Sequence, residues 1–150
     1  MKLTAFSDYS VRVLLYVTIN NDRLVSIKEV SKALVISQNH LMKIVHVLGK
    51  GGYLKTLRGK NGGFKLGMGP DEINLGSLIR YTEDDLSIVE CHGSSCVKCL
   101  LLPGCQFSSI VIEAKDAFLH VLDKYSLASL TENSYIYDIL KNTDRSFYVN

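Results

Sequence analysis

A chain of 150 residues, 47% of them apolar, can bury one sizeable core or a small domain with an attached arm, but not two domains of ordinary size. No uninterrupted apolar run approaches the roughly 18 residues of a membrane span, and the stretch from Met1 to Asp8 lacks the charged, apolar and cleavable regions of a signal peptide, so a soluble, cytoplasmic protein is expected. The net charge of +2 hides an asymmetry: residues 1–70 carry eleven Lys and Arg against three Asp and Glu, and residues 71–150 carry six against twelve. Basic charge gathered in one half is the electrostatic footprint of a nucleic-acid-binding face, although uneven solubility charge produces the same count.

In chain order, the first predicted helix opens at Thr4 or Ser7, sets Val11, Leu14, Leu15 and Thr18 along one side, and ends at Asn20-Asn21-Asp22. Ser26 with Glu29 three residues on forms a capping box, and Ile27, Val30 and Leu34 give the second helix its apolar face. Beyond Val35-Ile36, Ser37 caps a third helix in which Leu41, Ile44, Val45 and Leu48 follow the helical rule, with Gly49, Gly51 and Gly52 at its end. Gln38, Asn39, His40, Lys43, His46 and Lys50 are left on its outer side.

Tyr53 to Arg58 and Phe64 to Leu66 are predicted strands flanking Gly59-Lys60-Asn61-Gly62-Gly63, where the Asn-Gly pair suits the positive φ angles of a tight hairpin. A short helix is expected around Leu75 to Tyr81. After the cysteines, Phe107, Ile110, Val111, Ala114, Phe118, Val121, Leu122 and Tyr125 mark a long helix with a sustained apolar stripe, which suits either pairing with a second copy or packing on the chain's own core. The tail from Leu127 to Asn150 is weakly patterned.

The fold class expected is mainly α with a small β-hairpin wing. A winged helix-turn-helix occupies residues 1–70, a connecting helix and cysteine loop 71–106, a dimerisation helix 107–126 and a tail 127–150. In a helix-turn-helix the second helix enters the major groove of DNA and its first residues meet base edges. Ser37, Gln38, Asn39 and His40 hold that place, Asn and Gln being able to pair with adenine, and Lys43 can reach a phosphate or a guanine. In the wing, Arg58, Lys60, Asn61 and the bare backbone of Gly62 and Gly63 offer charge and close approach to a sugar–phosphate backbone, although the glycines also serve the turn itself. Solvated residues on an exposed helix are the plain alternative.

All four cysteines fall within fifteen positions, as Cys91, Cys96, Cys99 and Cys105, a C-x4-C-x2-C-x5-C arrangement. In a reducing compartment such a cluster points to metal or redox chemistry rather than to structural disulfides. Thiolates select zinc, copper(I) or iron–sulfur clusters. Spacing leaves a cluster and structural zinc about equally supported, with a redox-active thiol pair as a lesser reading and an iron–sulfur electron carrier disfavoured by the irregular spacing. His92 and His120 are not assigned as ligands. No nucleophile–base constellation and no nucleotide-binding glycine motif stands out, so an enzyme is not expected.

The stretches Leu3-Thr4-Ala5-Phe6-Ser7-Asp8-Tyr9-Ser10, Ser37-Gln38-Asn39-His40-Leu41-Met42-Lys43-Ile44 and Arg58-Gly59-Lys60-Asn61-Gly62-Gly63, together with the cysteine loop, resemble the Rrf family of winged-helix repressors. Within that family the chain is most similar to the nitric-oxide-responsive regulators. The resemblance implies a homodimer joined through the long helix, reading a partly palindromic DNA operator, with nitric oxide as signal and genes of nitric-oxide detoxification as targets. It also implies a 4Fe-4S cluster held by three cysteines and by an aspartate from the first helix of the other subunit, where Asp8 stands in this chain. Family members that regulate cluster assembly carry instead a histidine three residues past the last cysteine, and this chain has Ser108 there. Cys91 and Cys105 match the outer ligands. The middle one is Cys99 if the family's Pro-small-Cys ending, kept as Pro103-Gly104-Cys105, sets the register, and Cys96 if distance from Cys91 does. Asp8 has an ordinary role as well, since a carboxylate in the first helical turn favours the helix dipole.

Overall fold

Each of the first three helices starts where a side-chain oxygen takes up an orphan backbone N–H. In the computed structural model, which describes residues 2–59, 62–93 and 99–142, Thr4 caps α1 (Ala5–Ile19) by accepting from the Ser7 N–H. Ser26 and Glu29 close the expected capping box on α2 (Ile27–Leu34), and Ser37 caps α3 (Gln38–Lys50) through the His40 N–H. Strands β1 (Leu54–Leu57) and β2 (Gly63–Leu66) follow, paired antiparallel, then α4 (Leu75–Thr82), α5 (Gln106–Asp123) and α6 (Ser134–Lys141). No helix among the described residues is long and apolar enough to cross a membrane.

The core forms around α1, which packs against α2, α3, β2, α4 and α6. Val13, Leu14 and Val17 on α1, Val30 on α2, and Leu41, Ile44 and Leu48 on α3 are buried to within 1% of complete. Phe64 from β2 and Ile73, Leu78 and Leu127 from beyond the wing join the same cluster. The α1 pattern expected from sequence covers only part of this. Val11 and Leu15 are half-buried, whereas Ser7 and Ser10 are fully buried, because their hydroxyls find partners: Ser10 donates to the Phe6 carbonyl, and Ser7 pairs with Thr82 of α4 at 2.7 Å.

The turn between α2 and α3 is closed without glycine. Val35 takes a left-handed conformation at φ 55°, and the Ile36 N–H reaches back to the Ser31 carbonyl at 3.2 Å while Ile36 itself is buried. The geometry of the helix-turn-helix is thus held by an apolar anchor beside an exposed, strained valine.

The expected hairpin is present at the wing. Leu57 faces Gly63 across the hairpin, and among the described residues of the wing positive φ falls on Gly59 at 117°. Lys60 and Asn61 lie outside the described residues. Gly63 has a packing reason for lacking a side chain: a Cβ there would sit 2.6 Å from the Val25 carbonyl oxygen. That close approach lets Val25 and Phe64 exchange backbone hydrogen bonds of 3.0 and 2.9 Å, which tie the wing to the strand-like entry of α2.

On α5 the expected apolar stripe divides between two faces. Val111 and Leu119 are buried and Phe118 and Leu122 half-buried on the chain's own side, while Phe107, Ile110, Ala114 and Val121 face outward. The Arg80 guanidinium of α4 grips the Asp123 carboxylate with hydrogen bonds of 2.6 and 2.8 Å, fixing the end of α5 and holding that carboxyl below its ordinary pKa. The tail that sequence pattern leaves nearly blank folds back: Leu127 is fully buried, and α6 packs on α1 with Lys141 reaching Asp22 at 3.0 Å.

Candidate nucleic-acid interface and cysteine segment

The polar face of α3 is bare. Ser37, Gln38, Asn39, His40, Lys43, His46 and Lys50 are all exposed, while Leu41, Ile44, Val45 and Leu48 are all buried, so the helix presents its donors outward without giving up a core contact. The Ser37 hydroxyl is occupied by the His40 N–H, which makes it first a cap. The His40 ring tilts against Tyr9 of α1 with centroids 6.3 Å apart, and the Arg12 guanidinium lies 5.8 Å over the same tyrosine ring. Asp8 is paired with Arg12 at 2.7 Å and remains about half exposed. The beginning of α1 and the beginning of α3 are therefore neighbours.

Arg58 at the wing is exposed, and Gly62 and Gly63 are half-buried. Sequence reasoning looked only at the wing tip and missed its flank. Lys55 and Lys65 are directly opposed across the hairpin and both are exposed. Like charges in register repel, and a polyanion laid along them relieves that repulsion. The alternation Leu54-Lys55 and Phe64-Lys65 carried the signal, but only the register sets the two lysines opposite each other. Between α3 and β1 runs a groove of about 590 Å³, floored by Ile27, Val45 and Leu54 and rimmed by His46, Lys50 and Lys55.

On the opposite side of α2, Arg23 donates to Glu29 at 3.0 Å and the Tyr16 hydroxyl donates to it at 2.8 Å. Burial pushes the Glu29 carboxyl up, but the hydrogen bonds from Arg23 and Tyr16 outweigh it and hold the group below its ordinary pKa. Arg23 is shifted upward by the same hydrogen bond.

The cysteines sit on three separate backbone devices. Cys91 lies in a 3-10 turn over Glu90–His92, Cys99 leads toward a second such turn at Leu102–Gly104, and Cys105 is the N-cap of α5, its Sγ accepting from the Ser108 N–H at 3.4 Å. All three are half-buried and free of disulfides. Cys96 lies outside the described residues. His92 is bonded to Ser108 at 2.7 Å, and His120 is exposed near Asp123. Among the described residues no group of three or more His, Cys, Asp or Glu is gathered closely enough to hold a metal ion.

The donor set fits an iron–sulfur cluster by its chemistry, being three free thiols in a chain segment that packing does not hold. None of residues 83–93 and 99–105 is buried, and Leu100 and Leu101 are 96% and 72% exposed. A segment of this kind gains order from ligation rather than from a core.

A capped helix-turn-helix with its polar face bare, a cationic hairpin beside it and a thiol-bearing arm describe a winged-helix DNA-binding regulator. The chain belongs to the Rrf2 family of iron-dependent transcriptional regulators, whose model matches residues 3–133. It is 46% identical over 134 residues to the HTH-type transcriptional regulator NsrR of Bacillus licheniformis, covering 89% of this chain and 94% of that protein. To the NsrR of Bacillus subtilis strain 168 it is 44% identical over 142 residues, covering 94% and 96%. Among solved structures it is similar to CymR, the global cysteine regulator of B. subtilis, with a TM-score of 0.69, 26% identity and coverage of 90% of this chain and 98% of that one. The IscR of T. potens shares the fold with a TM-score of 0.68 at 24% identity, over 89% and 88% of the two chains.

Proposed function

We propose that this transcriptional regulator is a homodimeric repressor that senses nitric oxide through a 4Fe-4S cluster and releases its operator in response, acting in the cytoplasm on genes of nitric-oxide detoxification. The observation that carries the reading is the pairing, in one chain, of a bare polar recognition face with a segment of three free thiols that buries no side chain of its own. Close similarity to proteins named NsrR supports it.

Cys91, Cys99 and Cys105 would hold the cluster, with Asp8 of the partner subunit as the fourth, oxygen donor and Cys96 as the alternative middle thiol. When bound, such a cluster supplies iron that reacts with nitric oxide. The chain's own residues do the rest. Gln38, Asn39 and His40 read base edges, Lys43 and Arg58 neutralise phosphates, and Lys60, Asn61, Gly62 and Gly63 follow the backbone from the wing. The outward face of α5 at Phe107, Ile110, Ala114 and Val121 meets its counterpart on a second copy, which sets the spacing of the two recognition helices. Asp8, engaged across the dimer, leaves Arg12, and because Tyr9 joins α1 to His40 that exchange is felt at the start of α3. Two states with different DNA affinity follow from that one shared carboxylate.

The test is operator affinity measured for cluster-loaded, nitric-oxide-treated and cluster-free protein at one fixed salt concentration, on duplexes selected from a random library by the loaded form. Tight binding by the loaded form alone is expected. Equal affinities in the three forms overturn the sensing role, and absence of duplex binding in all of them overturns the DNA-reading assignments.

A further inference from the structure

Ser108 stands in the first turn of α5 and is only 8% exposed, yet it joins two parts of the cysteine segment. Its backbone N–H donates to Cys105 Sγ at 3.4 Å, and its hydroxyl lies 2.7 Å from Nε2 of His92, sixteen positions earlier in the chain. His92 follows Cys91 directly and shares its 3-10 turn. One buried serine therefore touches the thiol of one outer cysteine and the side chain adjoining the other.

No packing does this work instead. The described residues from 83 to 105 include no buried side chain, and among them the turn at Glu90–His92 is closed by its own backbone bonds, His92 N–H to Val89 and Gly93 N–H to Glu90. Without a tie, Cys91 and Cys105 would be the ends of a loose loop, and gathering them would cost closure entropy at the moment of ligation.

We propose that the His92–Ser108 hydrogen bond is a latch that sets Cys91 beside Cys105 before any ligand is bound, with Ser108 and His92 as positioning residues. Either the ring nitrogen or the hydroxyl donates, according to the imidazole tautomer, and the distance serves both. Closure of the outer pair then belongs to folding, and of the three thiols ligation has only the middle one left to recruit, a form of preorganisation. The purpose of the latch rests on the cluster reading above, but its geometry does not.

The experiment therefore begins without a cluster. In full-length protein carrying Cys96→Ser and Cys99→Ser, a short bis-maleimide joins Cys91 to Cys105, and the cross-link is followed by mass spectrometry. Ser108→Ala and His92→Ala are each expected to slow cross-linking about five-fold, the weight of one hydrogen bond, with the double variant no slower than either single one and Ser108→Thr restoring the rate. Single-thiol labelling by N-ethylmaleimide should be the same in all variants. Equal cross-linking rates throughout, or additive losses in the double variant, overturn the latch.

In the four-cysteine chain, loaded anaerobically with iron and sulfide, the same single variants should lose the cluster's visible absorption to a chelator about five-fold faster than the parent. Loss at the parental rate overturns the latch's contribution to ligation. A parent chain that takes up no iron and sulfide overturns the cluster reading instead, and the cross-linking still decides the latch.

Discussion

The two halves of this molecule are held by different physics. The first is ordered by burial: Val13, Leu14, Leu41, Ile44, Leu48 and Phe64 are almost wholly removed from water, and α1 to α3 and the wing are locked around them. The cysteine segment shows the reverse. Its described residues expose Leu100, Leu101 and Leu102 and bury none completely, and polar ties such as His92 with Ser108 and Asp85 with Ser87 help to shape it. A region held by its own core can present a fixed face, whereas a region that packing leaves loose is one that ligands can order.

The largest expected break in that contrast is Cys105→Ala. Anaerobically purified protein should lose nearly all of its iron, sulfide and brown colour, while the melting of the cluster-free DNA-binding half stays unchanged. A substantial fall in that melting temperature would mean the two regions are not independently held. Next is the exposed face of α5, which lies between them. Ile110 is 60% exposed in the single chain, and Ile110→Asp should weaken self-association by about 30-fold or more, read by sedimentation equilibrium, because a charge would be forced into an apolar contact. Unaltered association would place the dimer contact elsewhere.

A smaller effect is expected at the wing. Replacing both Lys55 and Lys65 with Gln should flatten the slope of log affinity against log salt by about 2, at roughly 0.9 per phosphate contact, without changing base preference. It should also raise thermal stability slightly, since the opposed charges are removed. An unchanged slope would take both lysines off the DNA path.

Two further predictions sharpen the burial side. Val35→Gly should stabilise the protein by about 1 kcal/mol in denaturant unfolding, since the valine sits at a positive φ that glycine adopts freely. Loss of stability would show that the Val35 side chain makes a contact that outweighs its strain. The smallest effect is at Glu29, whose carboxyl is held below its ordinary pKa by Arg23 and Tyr16 in spite of its burial. Its contribution is present above the ordinary glutamate range and is lost as pH falls through the lowered folded value. Glu29→Gln should therefore be less stable than the parent at neutral pH and approach it in acid. A pH-independent difference would assign the effect to the capping box alone.

The elements of the reading half were legible because local rules and burial agree there. Ser26 with Glu29, Ser37 before an unbroken i, i+3, i+4, i+7 run, and β-type segments around glycine each name their own structure, and the polar outer face of α3 could be listed residue by residue. The wing's two strands were legible on either side of its glycines, but the register of Leu57 with Gly63 and the contact of Gly63 with Val25 were not. The α6 segment was left unread because it is short, eight residues, and packs through Leu140, half-buried against a core made elsewhere.

The sequence by itself determined where the helices start, which residues of α3 face outward, and that the cysteines gather between Cys91 and Cys105. Tertiary structure decided the division of α5 into an inward and an outward face, the opposition of Lys55 to Lys65, the proximity of Asp8 to the recognition helix through Tyr9 and His40, and the tie from His92 to Ser108. The reason is one of range. Caps and periodicity are interactions among residues a few positions apart and are written into any short window, whereas each of the others joins groups that only the completed core brings within reach.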